Sequence, residues 1–220
     1  IEMLDPIKGL ERIRLGSVDP EFFDIEIIRR LKNVKKLMPH FHLSLQSGCD
    51  ETLKRMRRKY DTAKYEEVVN QLRELIDDVS ITTDIIVGFP GETENEFLET
   101  VEFLKKIKLQ DMHVFKYSKR TGTKAALMDF QIDGSVKDER SKIILSINAL
   151  NKVDFMKKYL GKVVDVLYCT VASDGKGMYG YTNNYIKVYL DSTNKEYLGQ
   201  IVPTLIKNFN EEFLIGQAVV

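Results

Sequence analysis

The 220-residue chain has no tryptophan, two cysteines and five prolines, and its 33 lysines and arginines are balanced by 33 aspartates and glutamates. Each shortage excludes something. Cys49 and Cys169 are too few for a disulfide-dense secreted scaffold, a CxxC…CxxC zinc site or a complete iron–sulfur ligand set. Zero formal net charge removes any global attraction to nucleic acid and leaves only local patches to provide one. No apolar run approaches the roughly 18 residues of a membrane span, and no charged-then-apolar leader opens the chain. A cytoplasmic protein with no membrane partner is therefore expected. The first residue is Ile rather than Met, which reads as a piece of a longer protein.

What is present suits a folded protein: 43% hydrophobic residues, ten tyrosines and eleven phenylalanines. Strand-like and helix-like periods alternate through residues 1–160. Strands are expected at 12–17, 41–46, 80–88 and 112–117. Between them, Asp24 caps one helix, a second covers about 62–77, and Thr93 with Glu96 has the spacing of a capping box. A last long helix runs from about Ser135 to Tyr159. Such alternation implies a parallel sheet with right-handed crossovers. Four strands are too few for an eight-stranded barrel, so the fold class is α/β, a small open sheet or part of a (β/α) barrel. From Gly161 the pattern changes to five short β-rich runs separated by turn residues, which reads as a small antiparallel barrel over 161–220.

Three segments could carry chemistry. In Phe41–Gln46, the side chains of His42, Ser44 and Gln46 share one face and Phe41, Leu43 and Leu45 the other. Polar residues on a parallel strand point either to a ligand-lined interior or to an edge strand with a solvated face. His40 and His42 share that face, but local sequence offers no third ligand, and no metal site is expected. Asp84, Ile86 and Gly88 run into a Gly-Pro-Gly loop and a capped helix, where parallel α/β folds bind ligands; the bland alternative is a tight turn with Glu92 complementing the helix dipole. Lys54, Arg55, Arg57, Arg58 and Lys59 form a cationic run that is either an RNA contact or a solvated helix end. Six of the ten tyrosines lie in the last 60 residues, a composition suited to base stacking, although that region is slightly acidic.

Together, "RIRLGSVDP" (12–20), "HLSLQSGCDETLKRMRRKY" (42–60), "TDIIVGFPGETENEF" (83–97) and "FKYSKRTGTKAA" (115–126) resemble the radical S-adenosylmethionine (SAM) methylthiotransferases. Residues 199–220 look like the end of a TRAM domain, the RNA-binding barrel of these enzymes. "LQSGC" and "KRMRRKY" are most similar to the branch that modifies N6-threonylcarbamoyladenosine in tRNA; the isopentenyladenosine branch usually carries Asn where Arg57 stands. The resemblance implies half of a radical SAM barrel (1–160) followed by a TRAM barrel (161–220). It also implies SAM and two [4Fe–4S] clusters in the full-length enzyme, tRNA as partner, an electron donor, and no role for DNA. One cluster, in a CxxxCxxC loop, would cleave SAM to a 5′-deoxyadenosyl radical. This sequence has no CxxxCxxC, so no catalytic or metal-ligating residue is assigned and the chain alone is expected to be inactive. By the same resemblance Ser44, Gln46, Asp84, Ile86, Gly88, Phe115 and Tyr117 fall on SAM-facing strands. Arg14 and Arg120 could meet the SAM carboxylate or RNA phosphate, and Arg120 joins the cationic run as an RNA contact.

Overall fold

The computed structural model describes residues 1–219. Its first part is a four-stranded parallel sheet of β1 (Ser17–Val18), β2 (His40–Leu43), β3 (Ser80–Val87) and β4 (Asp111–Lys116), in that spatial order. The crossovers carry α1 (Ile25–Lys32), α2 (Asp50–Arg55), α3 (Thr62–Leu75) and α4 (Glu94–Ile107), and α5 (Gly134–Lys157) follows β4. Phe41, Leu43 and Leu45 on the sheet meet Tyr65, Val68 and Leu72 of α3 and Phe97, Val101 and Leu104 of α4 in one core, all buried. Full burial of each such side chain contributes about 1.5–3 kcal/mol, which is why the helical layer clings to this face.

Local chemistry sets the helix starts. Asp24 Oδ1 accepts the Ile27 N–H at 2.8 Å, and Asp61 Oδ1 accepts the Lys64 N–H at 2.8 Å. Thr93 and Glu96 form the expected reciprocal capping box on α4. Other expectations shift. The first strand is Ser17–Val18 rather than 12–17, with Ile13 making a single parallel bridge to Leu37. Helix α1 stops at Lys32, so Val34 and Leu37, which continue its apolar period, pack from the following turn. The short α2 falls where only a basic stretch was read. Strand β2 lies between β1 and β3, which removes the edge-strand alternative and makes its polar face an interior one.

The last part is a closed barrel of β5 (Val163–Val171), β6 (Met178–Tyr181), β7 (Lys187–Leu190), β8 (Ile201–Phe209) and β9 (Leu214–Ala218), ordered β5-β6-β7-β9-β8. The β7–β9 pair is parallel, so the barrel is not antiparallel throughout: closure brings the last strand in beside β7 rather than by a hairpin. Tyr168 is fully buried within it, and Met156 of α5 and Tyr159 just beyond that helix share its core. The barrel docks at the N-terminal edge of the sheet. The Ser80 hydroxyl donates to the Asn184 carbonyl at 2.6 Å, and Asn184 Nδ2 donates to the Asp78 carbonyl at 2.9 Å. Arg12 donates to the carbonyls of Tyr181 and Asp165 at 3.1 and 3.2 Å.

Candidate functional site

The helix-free face of the sheet carries a polar ladder. Parallel register sets His42 beside Thr82 and Asp84 beside His113. With side chains alternating along each strand, His42, Thr82, Asp84, Asp111 and His113 share this face. Two cavities open on it. The upper, about 510 Å³ at the C-terminal ends of the strands, is lined by Gln46, Asp84, Ile86, Phe115, Tyr117 and Arg120, among others. The lower, about 250 Å³ near the barrel, is lined by Arg14, His40, His42, His113, Lys152 and Tyr185, among others.

The upper cavity gathers most of the SAM-facing residues expected from the sequence. Its wall is shaped by backbone as much as by side chains. Gln46 adopts a left-handed φ of 70°, its N–H donates to the Asp84 carbonyl and its own carbonyl accepts the Ile86 N–H, both at 2.9 Å. Phe115 is half exposed into the space. The Tyr117 hydroxyl is buried with no partner among the described residues, an orphan donor that a ligand could satisfy. At some 510 Å³ the space lies in the range of small-molecule sites. Ser44 and Gly88 directly follow β2 and β3 and are not part of the cavity lining. Gly88, at φ 71°, is packed against Lys137 so closely that a Cβ would collide with that side chain.

Glu92 departs from the dipole reading. Only 3% exposed, its Oε2 accepts the Gly88 N–H and the Arg140 guanidinium, each at 2.7 Å, and so clamps the Gly-Pro-Gly loop to α5. Burial pushes its carboxyl pKa up, against the pull of the Gly88 N–H and Arg140.

In the lower cavity the Arg14 guanidinium lies 4.0 Å from the Tyr185 ring centre, and Tyr185 stacks on Tyr181 at 4.5 Å. His40 is buried; burial first, then Arg14, lower its pKa to about 4, so it is neutral at pH 7. Its Nε2 and His42 Nδ1 meet the Thr82 hydroxyl at 3.1 and 3.0 Å. Sequence reasoning missed His113, Thr82 and Lys152. The signal for His113 was available: it is two residues before Phe115 and four before Tyr117, the same face of β4.

The cationic run is largely engaged within the chain. Arg55 makes a bidentate pair with Glu96 at 2.8 and 2.7 Å, Lys54 pairs with Glu51 at 2.6 Å, and Arg58 and Lys59 approach Asp19 and Glu21 at 3.7 and 3.8 Å. Exposed Arg57 makes no ion pair among the described residues. It sits at φ 59°, a left-handed conformation that Asn adopts readily, so an Arg-to-Asn difference here is met by the backbone. Arg55 is thus a structural clamp on α4 before it is anything else. Arg120 is exposed at the rim of the upper cavity. The two thiols do not fit an iron–sulfur cluster: Cys49 is buried before α2, where burial raises its pKa, and Cys169 is exposed on the barrel.

Two family models match the chain. Residues 2–104 match the radical SAM superfamily and residues 157–219 the TRAM domain. The threonylcarbamoyladenosine tRNA methylthiotransferase of Bacillus subtilis is 37% identical over 216 residues, 97% of this chain and 48% of that protein. The tRNA-2-methylthio-N(6)-dimethylallyladenosine synthase of Lachnoclostridium phytofermentans is 36% identical over 218 residues, 99% of this chain and 48% of that protein. The chain thus spans about half the length of these curated relatives. Among solved structures, coproporphyrinogen III oxidase from Escherichia coli, a radical SAM enzyme, aligns over 95% of this chain and 52% of its own at a TM-score of 0.49 and 15% identity.

Proposed function

Because the chain belongs to the radical SAM methylthiotransferase family, we propose that it is the C-terminal part of a tRNA-modifying enzyme. The reaction is insertion of a methylthio group at C2 of N6-threonylcarbamoyladenosine next to the anticodon. The division between radical SAM part and TRAM barrel falls near residue 160. The observation that carries this reading is the upper cavity, whose wall coincides with the strand ends that the family motifs occupy. Gln46, Ile86, Phe115 and Tyr117 hold SAM there, with Asp84 at the floor, Arg120 at the rim, and Ser44 and Gly88 behind the wall. SAM and a [4Fe–4S] cluster supply the one-electron chemistry that an unactivated aromatic C–H bond demands. The cluster ligands, and a second cluster, belong to the full-length enzyme, as does the docking of its electron donor. Without them these 220 residues bind and orient but do not turn over.

The choice of substrate rests on the lower cavity. Relatives of both substrate types are equally similar, at 37% and 36% identity. A threonylcarbamoyl group carries a carboxylate, a hydroxyl and a urea-like linkage, whereas dimethylallyl is a hydrocarbon. A wall of Arg14, His40, His113 and Lys152 offers hydrogen-bond and charge partners to the former and would be desolvated without return by the latter. The cationic residues Arg57, Arg58, Lys59 and Lys54, with the TRAM barrel, meet the tRNA backbone, in the cytoplasm.

Nucleoside mass spectrometry of tRNA from a strain deleted for the gene tests the reading. Loss of the methylthio-threonylcarbamoyl nucleoside with the dimethylallyl one retained supports it. The opposite loss reassigns the substrate, and loss of neither rejects the activity.

A further inference from the structure

On sequence alone, His40 and His42 shared a face but lacked a third metal ligand; the fold gives His42 two other companions. Asp84 stands on the neighbouring strand and His113 on the next. His42 Nε2 lies 3.4 Å from Asp84 Oδ2, and His113 Nδ1 lies 3.2 Å from Asp84 Oδ1. The three ligand atoms all fall within 4.8 Å of one another. We propose that His42, Asp84 and His113 form a binding site for one divalent transition-metal ion, with Zn²⁺ as the reference case, between the two cavities and separate from any iron–sulfur centre.

Four observations support the site. First, zinc-to-nitrogen and zinc-to-oxygen bonds near 2.0–2.2 Å at a tetrahedral angle place neighbouring ligand atoms about 3.3 Å apart, and each imidazole already stands at about that spacing from one oxygen of the carboxylate, His42 from Oδ2 and His113 from Oδ1. Because the two imidazoles face different oxygens, one of them must swing toward the other to share a single ion. His113 can make that movement because its side chain is 57% exposed, while His42 is held at 10%. Second, the ligand set is the kind zinc accepts: two imidazoles and a carboxylate, with a further position open toward the cavities. Third, His42 has an outer partner. Its Nδ1 meets the Thr82 hydroxyl at 3.0 Å, and with the proton on Nδ1 the Nε2 lone pair points at Asp84. Such support from the far ring nitrogen is the usual companion of a ligating histidine. Fourth, Asp84 has no lysine or arginine within 4 Å among the described residues; the ion-pairing groups that reach its carboxylate are the two imidazoles. A cation completes that arrangement.

The competing account is a carboxylate that merely bridges two ring N–H groups, and it predicts no metal affinity. The test uses the purified chain, stripped with chelator and titrated with Zn²⁺ by calorimetry and with Co²⁺ by visible absorption. One ion per chain is expected, with a Co²⁺ spectrum free of thiolate charge-transfer bands and unchanged in Cys49→Ser and Cys169→Ser. Asp84→Asn and His113→Ala should each weaken binding at least tenfold, and Thr82→Val by about tenfold or more through His42. His113 is exposed and Asn matches Asp in shape, so circular dichroism should remain that of the parent. Absence of saturable binding to the parent chain overturns the site. So does binding that survives both Asp84→Asn and His113→Ala at undiminished affinity, since the ion would then sit elsewhere.

Discussion

Replacing Glu92 by Ala should be among the most damaging single changes in the sheet part of the molecule. Its carboxylate and the Arg140 guanidinium are 2% and 6% exposed, and the two meet at 2.7 Å. Removing one member of a buried pair costs about 3–5 kcal/mol, because the other charge is left in a poorly solvated place. Here Arg140 keeps the Glu92 carbonyl at 3.1 Å and the mostly exposed Glu94 carboxylate at 3.1 Å, which favours the low end of that range. The Gly88 N–H also loses its acceptor, which adds about 1 kcal/mol or more. Glu92→Ala should therefore lose about 4 kcal/mol, and Glu92→Gln, which retains an acceptor for Gly88, about 2 kcal/mol. Arg140→Met placed on Glu92→Gln should restore much of the loss, since no buried charge then remains. Urea unfolding at pH 7 on the four members of this cycle measures the coupling. A cost below about 1 kcal/mol for Glu92→Ala, or additive effects in the cycle, would refute the claim that this pair clamps the loop.

Two further outcomes follow from other parts of the structure. Burial pushes the Tyr168 phenol up to about 12, so the barrel should be fully stable below pH 10 and lose stability as pH rises from 10 toward 12. The loss reaches about 2–3 kcal/mol by pH 12, and a Tyr168→Phe variant with the same alkaline slope in urea unfolding would contradict it. If the proposed tRNA contact is made by this run, reversing Arg57 and Arg58 to Glu weakens tRNA binding by the full-length enzyme and flattens its dependence on log salt by roughly 2. Filter binding across a KCl series gives that slope, and no change in it would return the run to ordinary solvated surface.

Much of the fold was legible because helix starts and strand faces are local properties. The cap residues Asp24 and Thr93 act within three positions of themselves, and alternation in 41–46 assigns the core face with no knowledge of neighbours. The misreadings concern ends and partners. Residues 12–17 have strand-like composition, but only Ser17 and Val18 find a run of partners on β2. Arg55, Arg58 and Lys59 read as free because the acids that engage them, at 96, 19 and 21, are distant in sequence. Glu92 reads as a helix-start acid until Arg140 arrives from α5, 48 residues later.

Sequence by itself therefore determined the two-part architecture, the family, and the strand ends that line the upper cavity. These depend on short-range periodicity and on motifs read in order. Tertiary structure alone decided that β2 is central, that the barrel seats beneath the sheet, and that His42, Asp84 and His113 converge. The reason is physical. A parallel sheet joins segments separated by long crossovers, and its register is set when helices pack on the far face, not by the residues that register brings together.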